Sequence, residues 1–324
     1  MLAFGDNEWA VQRALCKMLE TVALLSDGAF VSLPAMARGS SRRGPKNVER
    51  HALMCELFAM SARAPVRVRY DLDSFAKEGG ERYQNRDGWG IVIAEGRDAH
   101  YYREAAPASS SPLDRFVREH STPHAAVMAH VRRASFGART LANTHPFRRV
   151  QNGRVHHFAY NGTLKGLETD SAARALNPQR VGTTDSELAL LLLLDRIDRK
   201  GADLSDDATR FTVFRDFARQ MATFGSANFL WFDGETLFVH AGRRVHETPH
   251  GLTPPKPPGL YILRPEFGSL GSDHDCTGAR LEQTPGHVVL LASVPLNSSA
   301  WEPLEEGTVF SVRNGHILHR ETCI

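Results

Sequence analysis

The sequence lacks a long apolar run, a strong charge of either sign and any pair of closely spaced cysteines. Its densest apolar stretch, residues 188–194, is far shorter than the roughly 18 residues that cross a bilayer, so we expect no membrane span. The net charge is +2, which does not favour a general binder of nucleic acids or acidic membranes. The four cysteines form no C-x-x-C pair and no zinc-ligand spacing. With 42% hydrophobic and 23% charged residues, the chain is typical of a soluble globular protein, and the unpaired thiols favour the reducing cytoplasm.

The first 54 residues differ from the rest of the chain. They hold seven basic and five acidic residues, and the stretch 36–46 (MARGSSRRGPK) is basic and rich in helix breakers, as in a linker. A secretory signal is disfavoured, because the candidate apolar core at residues 21–25 is soon interrupted by Asp27. We therefore predict an extension over residues 1–54, either a wrongly assigned start or a propeptide, and one domain over residues 55–324.

Residues 55–324 have the pattern of an α+β fold. Short apolar runs bounded by turns predict strands at 55–61, 89–94, 125–131, 155–160, 229–232, 237–241, 287–292, 309–312 and 317–319. The capping box from Thr184 to Glu187 predicts a helix to about residue 197, and a second helix is predicted over residues 206–224. Five prolines make residues 248–258 an irregular loop. Strand-rich stretches around a helical middle indicate sheets covered by helices.

Cys55 is a candidate nucleophile. A cysteine attacks as thiolate and needs a base nearby. Cys55 directly follows Met54, so if translation begins at Met54 and the methionine is removed, Cys55 carries a free α-amine. That amine has an ordinary pKa of about 7.7 to 8.0, which suits a general base at neutral pH. The alternative is a buried strand cysteine that packs as a small hydrophobic residue.

Six motifs follow one another along the chain. They are residues 54–61 (MCELFAMS), 86–90 (RDGWG), 130–137 (HVRRASFG), 143–147 (NTHPF), 160–163 (YNGT) and 182–187 (GTTDSE). In this order, starting at Met-Cys, they resemble the class II glutamine amidotransferases, the N-terminal-nucleophile glutaminases, and most closely the stand-alone YafJ-like group. The resemblance extends from about residue 55 to the C-terminus. It implies a four-layer αββα sandwich, with two antiparallel sheets faced by helices.

The resemblance also implies the catalytic residues. Cys55 matches the family's N-terminal cysteine, whose thiol is the nucleophile and whose α-amine carries the proton. Asn161 and Gly162 match the oxyanion pair, a side-chain amide and a backbone N–H, and losing one such donor typically costs about 10²–10³ in rate. Without the resemblance, Asn-Gly favours a tight turn, since this is the commonest tight-turn dipeptide.

Substrate contacts are implied in the same way. Arg132 matches the arginine that grips the α-carboxylate of glutamine, Asp185 matches the aspartate that pairs with the α-ammonium, and Ser135 matches a hydroxyl that assists at the carboxylate. The residues alone would also allow a solvated arginine and a helix cap at the first two positions. We interpret His130 and His145 as structural, because no third metal ligand has a suitable spacing.

The sequence departs from the family pattern at several positions. Gln84 and Asn85 stand where many members have Arg-Gly, and Arg86 is shifted by one or two places, so the family's arginine role there does not transfer. Arg133 replaces an aromatic or uncharged neighbour. Six arginines and no acidic residue lie from Arg132 to Arg154, which suits either a substrate with additional anionic groups or a solvated face.

Three functions remain open at this point. The first is a stand-alone glutaminase or amidotransferase that delivers ammonia from its small-molecule substrate to a separate synthase. The second is a hydrolase of a γ-glutamyl amide or another small amide, and the third is a non-catalytic, unprocessed relative that acts as a binding subunit. We expect no cofactor, since no phosphate-loop or dinucleotide fingerprint occurs, and no metal, nucleic acid or membrane partner. Activity requires a free Cys55 nitrogen, because a peptide nitrogen is not basic.

Overall fold

A computed structural model of the chain describes residues 55–66, 68–70, 87–120, 122–133, 137–201, 206–248, 251–264, 279–281, 287–296 and 301–323. The extension over residues 1–54, the departure at residues 84–86 and the predicted substrate residue Ser135 lie outside these described residues.

Most of the strands in the described part belong to two antiparallel sheets. The larger has seven strands in the spatial order β15-β12-β14-β1-β5-β3-β4, and the smaller has six in the order β17-β16-β9-β8-β7-β6. The pairs β10-β11 and β13-β2 form two-stranded ribbons. In chain order the strands are β1 (Glu56–Val66), β2 (Val68–Tyr70), β3 (Gly88–Glu95), β4 (Asp98–Glu104), β5 (His124–Arg132), β6 (Phe147–Gln151), β7 (Arg154–Leu164), β8 (Gly225–Phe232), β9 (Leu237–Ala241), β10 (Glu247–Thr248), β11 (Gly251–Leu252), β12 (Tyr261–Leu263), β13 (Ala279–Leu281), β14 (Val288–Ala292), β15 (Glu302–Pro303), β16 (Thr308–Arg313) and β17 (His316–Thr322).

Helices cover the outer faces of both sheets. Within the described residues they are α1 (Pro112–Glu119), α2 (Ser171–Leu176), α3 (Asp185–Arg199) and α4 (Asp207–Phe224). Apolar side chains of α2, α3 and α4 pack against the smaller sheet in one buried cluster. Val117 of α1 packs with the outer face of the larger sheet, beside Phe58 and Met60 of β1. The result is a four-layer αββα arrangement, as the sequence predicts.

The two sheets face each other across an apolar core. Successive side chains of a strand point to opposite faces, so Leu57 and Ala59 of β1 turn inward while Phe58 and Met60 turn outward. The inward pair meets Leu230 of β8 and other apolar residues of the smaller sheet. Both faces of the first half of β1 are buried, and residues 57–60 (LFAM) are accordingly all apolar.

The predicted elements are confirmed, with corrections at their ends. Each predicted strand and both predicted helices are present, and Phe211, Phe214 and Met221 are buried along α4. The capping box is only half formed. The Thr184 hydroxyl accepts the N–H of Glu187 at 3.2 Å, but the Glu187 carboxylate turns to the N–H of Gly182 instead of returning to Thr184. The predicted irregular loop at 248–258 contributes to the β10-β11 ribbon.

Candidate active site

Cys55 stands at the entrance to β1, the strand that lies between β14 and β5 in the larger sheet. Antiparallel pairing sets the start of β1 against the end of β5, with Glu56 opposite Val131. The chain leaving β5 passes the thiol directly. The Arg133 backbone N–H donates to Cys55 Sγ at 3.3 Å, and Sγ lies 3.3 Å from the Arg133 carbonyl oxygen. These backbone contacts hold the sulfur in one position.

The thiol is protonated at neutral pH in this environment. Burial raises the pKa of Cys55 to about 11, because the thiolate would lose its hydration. The Arg133 N–H and the charge of Arg132 lower this pKa, but they do not outweigh the burial. An attack by this sulfur therefore needs a base that removes its proton.

Asn161 and Gly162 reach the same point from the smaller sheet. Both belong to β7, and the Asn161 Nδ2 donates a hydrogen bond to the Cys55 carbonyl oxygen. An amide nitrogen carries two hydrogens, so the second one can serve another acceptor. The neighbouring strand supports this position, since the buried Asn228 of β8 donates to the Asn161 carbonyl oxygen at 3.2 Å and accepts the Gly242 N–H at 2.8 Å.

Gly162 occupies a place that only glycine can fill. Its φ is +150°, and a Cβ built there would lie 2.0 Å from the Ser226 carbonyl oxygen. The hydroxyl of Tyr160 donates to the same oxygen at 2.8 Å. The turn interpretation of Asn-Gly is therefore wrong here, because both residues lie within a strand.

Arg132 lies behind the thiol and is 3% exposed. Its Nη1 lies 3.5 Å from the Asp87 carbonyl oxygen and 3.4 Å from that of Ala138, both at the long end of hydrogen-bond range. Asp87 also forms an ion pair with Arg139. A buried guanidinium in this position is not the solvated arginine that the residue type alone would allow.

Asp185 is the first residue of α3, and its side chain links this helix by hydrogen bonding to β7, the strand that contains Asn161. Its Oδ2 accepts the Leu164 N–H at 2.8 Å, and its Oδ1 accepts the Ser186 N–H at 2.8 Å. Burial raises the pKa of Asp185, and these N–H donors oppose that shift. The helix cap is Thr184 and not Asp185, so capping does not account for this carboxylate.

His130 and His145 pack against each other beneath the site. Their ring centroids are 4.3 Å apart, and both residues are buried. Burial lowers the pKa of His130 to about 3 and lowers that of His145 well below its usual range, and the charge of Arg132 acts in the same direction on both. Two neutral imidazoles in the core fit the structural interpretation.

A cavity of about 870 Å³ opens beside the thiol. Cys55, Asn161 and Gly162 line it together with Arg133, and its far wall is built by the end of α4 and by Cys323. The structure therefore joins the three predicted catalytic residues on one surface. Arg132 and Asp185 are not among the described residues that line the cavity.

Sequence reasoning missed several groups of this site. The Arg133 contact with the sulfur uses backbone atoms, which carry no sequence signal. Asn228 was missed because its relation to Asn161 depends on the pairing of β7 with β8. Within the described ranges, no helix is long and apolar enough to cross a membrane, and no group of three or more His, Cys, Asp or Glu side chains is placed to hold a metal ion.

Comparison with known proteins decides the family. The model of the class II glutamine amidotransferases matches residues 54–323. The chain belongs to this family. As a class II glutamine amidotransferase, it has the α+β, four-layer αββα N-terminal-nucleophile sandwich that the sequence predicts.

Two relatives match this class II amidotransferase over nearly their whole length. It is 29% identical over 257 residues to YafJ of Escherichia coli (strain K12), a candidate glutamine amidotransferase, and the match covers 78% of this chain and 95% of YafJ. It also superimposes on the crystal structure of a predicted glutamine amidotransferase from Pseudomonas aeruginosa PA01 with a TM-score of 0.52 and 25% identity. That match covers 82% of this chain and 100% of the other.

A third match concerns the fold alone. The glutamine phosphoribosylpyrophosphate amidotransferase from B. subtilis has a TM-score of 0.51 and 16% identity over 83% of this chain and 49% of its own.

Proposed function

We propose that residues 55–324 form an amidotransferase domain that hydrolyses the γ-carboxamide of glutamine through a thioester on Cys55, and that residues 1–54 are absent from the active protein. The observation that carries this proposal is the meeting of Cys55, Asn161 and Gly162 at one cavity, although they come from different sheets. The test is ammonia release from glutamine by a purified chain whose N-terminal residue is Cys55. A chain of verified mass that releases no ammonia would contradict the proposal.

The reaction begins with proton removal from the thiol. The free α-amine of Cys55 takes the proton, since the thiol does not ionise by itself at neutral pH. The thiolate adds to the γ-carbonyl carbon, and the negative charge that develops on oxygen is stabilised by Asn161 Nδ2 and the Gly162 N–H. The C–N bond breaks, ammonia leaves with the proton from the α-ammonium, and water hydrolyses the thioester to glutamate.

Arg132 and Asp185 hold the two ends of the amino acid in this proposal. The Arg132 guanidinium binds the α-carboxylate, and Ser135 assists there. The half-buried Asp185 carboxylate pairs with the α-ammonium, whose positive charge offsets the cost of keeping this partly desolvated carboxylate ionised. We also propose a cytoplasmic location, since a reducing compartment keeps the thiol free, and transfer of ammonia to a separate synthase.

Asn161→Ala is expected to lower kcat by roughly 10²–10³-fold with a modest change in KM, because the oxyanion contact is made mainly in the transition state. Steady-state glutaminase kinetics measure both parameters. Asn177→Ala, at an exposed position between two helical turns, is the matched control and should leave both unchanged. A variant at Asn161 that raised KM alone would assign this residue to ground-state binding.

Arg132→Ala and Asp185→Asn are expected to lower kcat/KM for different substrates. Arg132→Ala should lower kcat/KM for glutamine and glutaramate by about 30-fold or more, corresponding to at least 2 kcal/mol for an unpaired charge, but not for 4-aminobutanamide, which has no α-carboxylate. Asp185→Asn should impair glutamine and 4-aminobutanamide but not glutaramate, which has no α-amine. Equal losses on all three amides would show that the two residues only support the fold.

A further inference from the structure

The residues proposed to bind glutamine and the residues that line the cavity are two separate groups. Arg132 and Asp185, which would hold the amino-acid half of the substrate, do not line the cavity. Cys55, Asn161 and Gly162 do line it. With Arg132 and Asp185 holding the amino-acid half, the cavity would lie on the side of the scissile bond where the amine departs. At about 870 Å³ it is far larger than ammonia needs, since a molecule of water size occupies about 30 Å³.

The wall of this cavity carries an excess of positive charge. Its described lining includes five cations and one carboxylate, which are Arg133, Lys165, Arg219, Arg243, Arg244 and Glu306. Two of the cations are neutralised where they stand. Arg244 pairs with the buried Glu56 at 2.8 Å, and Arg243 pairs with Glu306 at 2.5 Å.

The other three cations are left with little compensation. Within the described part of the chain, neither Arg133 nor Lys165 has an ion-pair partner, and Arg219 reaches Asp216 only at 3.9 Å. Arg133, whose backbone contacts the thiol, is half-buried and lines the cavity. Lys165 and Arg219 lie farther along the wall, next to the end of α4, where the Lys165 N–H donates to the Phe224 carbonyl oxygen at 2.9 Å.

We propose that this cavity binds the amine half of a γ-glutamyl amide whose departing amine carries an anionic group. Arg133, Lys165 and Arg219 would bind that group, as guanidinium and ammonium groups bind carboxylates and phosphonates. This inference rests on the proposed function and names its substrate class. The bonds balance as for glutamine: the thiolate forms the thioester, the amide C–N bond breaks, and the amine leaves with the proton of the Cys55 α-ammonium. Water then releases glutamate.

The test is a series of γ-glutamyl amides that differ in the charge of the amine half. The series consists of γ-glutamylglycinamide (neutral), γ-glutamylglycine (one carboxylate) and γ-glutamylaminomethylphosphonate (one phosphonate). For a chain that begins at Cys55, kcat/KM should rise along this series, by roughly tenfold at the first step, which corresponds to about 1.4 kcal/mol. Equal values for the neutral and anionic amides would overturn the inference.

A double substitution tests which residues bind the anionic group. Lys165→Gln combined with Arg219→Gln should lower the ratio of kcat/KM between anionic and neutral amides by about tenfold. The matched control is Lys200→Gln with Arg215→Gln, which removes one lysine and one α4 arginine outside the cavity lining and should keep the ratio. A ratio that survives in the cavity variant, or falls equally in the control, would place the anion elsewhere and overturn the assignment.

A binding measurement separates this inference from the proposed chemistry. Calorimetry with a Cys55→Ala chain reports binding of the phosphonate and the glycinamide without turnover. Tighter binding of the phosphonate would support the anionic subsite even if no amide were hydrolysed, in which case only the proposed chemistry would fail. Hydrolysis of glutamine together with equal binding of the two probes would overturn the subsite and leave the glutaminase proposal standing.

Discussion

A chain that begins at Cys55 is expected to hydrolyse glutamine, and a chain that keeps residues 1–54 is expected to be slower by about 10²–10⁴-fold, the usual contribution of a general acid–base group. The loss follows from the nitrogen of Cys55, which becomes a peptide nitrogen with a delocalised lone pair. Burial raises the pKa of the Cys55 thiol to about 11, so the thiol does not ionise by itself at neutral pH and still needs a base. Ammonia release measures both rates, and intact mass on each sample excludes silent trimming.

A shorter blocked form separates the missing amine from the bulk of the extension. A chain that begins Met-Lys-Cys55 has two added residues ahead of the cysteine, so the Cys55 nitrogen is still a peptide nitrogen. This chain should be as slow as the long form. Alkylation by iodoacetamide gives a second readout, because the thiol of the blocked form should gain reactivity only as the pH approaches about 11. If the uncleaved long form matches the rate of the short one, the α-amine of Cys55 is not the base.

Cys55→Ala is expected to abolish amide hydrolysis, on the order of 10⁶-fold in kcat, the scale seen when a serine protease loses its nucleophile. The fold should persist, since the thiol contacts only the backbone of Arg133 among its described partners. The comparison is made on chains that both begin at residue 55, with circular dichroism to verify the fold. Turnover at the original rate would exclude Cys55 as the nucleophile.

Cys323→Ala is the matched control, because Cys323 is a second free cysteine that lines the same cavity. It should keep the activity of the unchanged chain. In a chain that begins at Cys55, a glutamine-analogue electrophile such as 6-diazo-5-oxonorleucine should label Cys55 and leave Cys276 and Cys323 unlabelled. Labelling of Cys323 in place of Cys55 would move the reactive thiol to the other end of the cavity.

The sequence predicted strands through their apolar runs, and it missed β4 and β6 at the edges of the two sheets although it predicted the edge strand β17 at residues 317–319. β1, β5 and β7 are buried on both faces, so their runs stand out. β4 (DAHYYRE) and β6 (FRRVQ) are edge strands with charged, half-exposed side chains, and only their pairing with β3 and β7 makes them strands. Edge strands depend on their neighbours more than on their own composition.

The candidate site was predictable where a sequence motif contains the residue and unpredictable where a contact depends on how the chain folds. Cys55, Asn161 and Gly162 were found through their motifs, and the structure brings them together. The Arg133 N–H against the sulfur has no residue-type signature. The capping box shows the same limit, because Glu187 has the expected identity but is bound by Arg149 and by the N–H of Gly182.

The hydrogen bond from Asn161 to the Cys55 carbonyl oxygen joins groups that belong to different sheets. The spacing between Cys55 and Asn161 therefore depends on the thickness of the apolar layer between the sheets, to which Leu57, Leu230 and Phe310 contribute. Catalytic groups need placement to within about 0.5 Å, and packed interiors transmit small changes in volume. Under the proposed function, selection for activity would thus act on the volumes of side chains that do not touch the substrate.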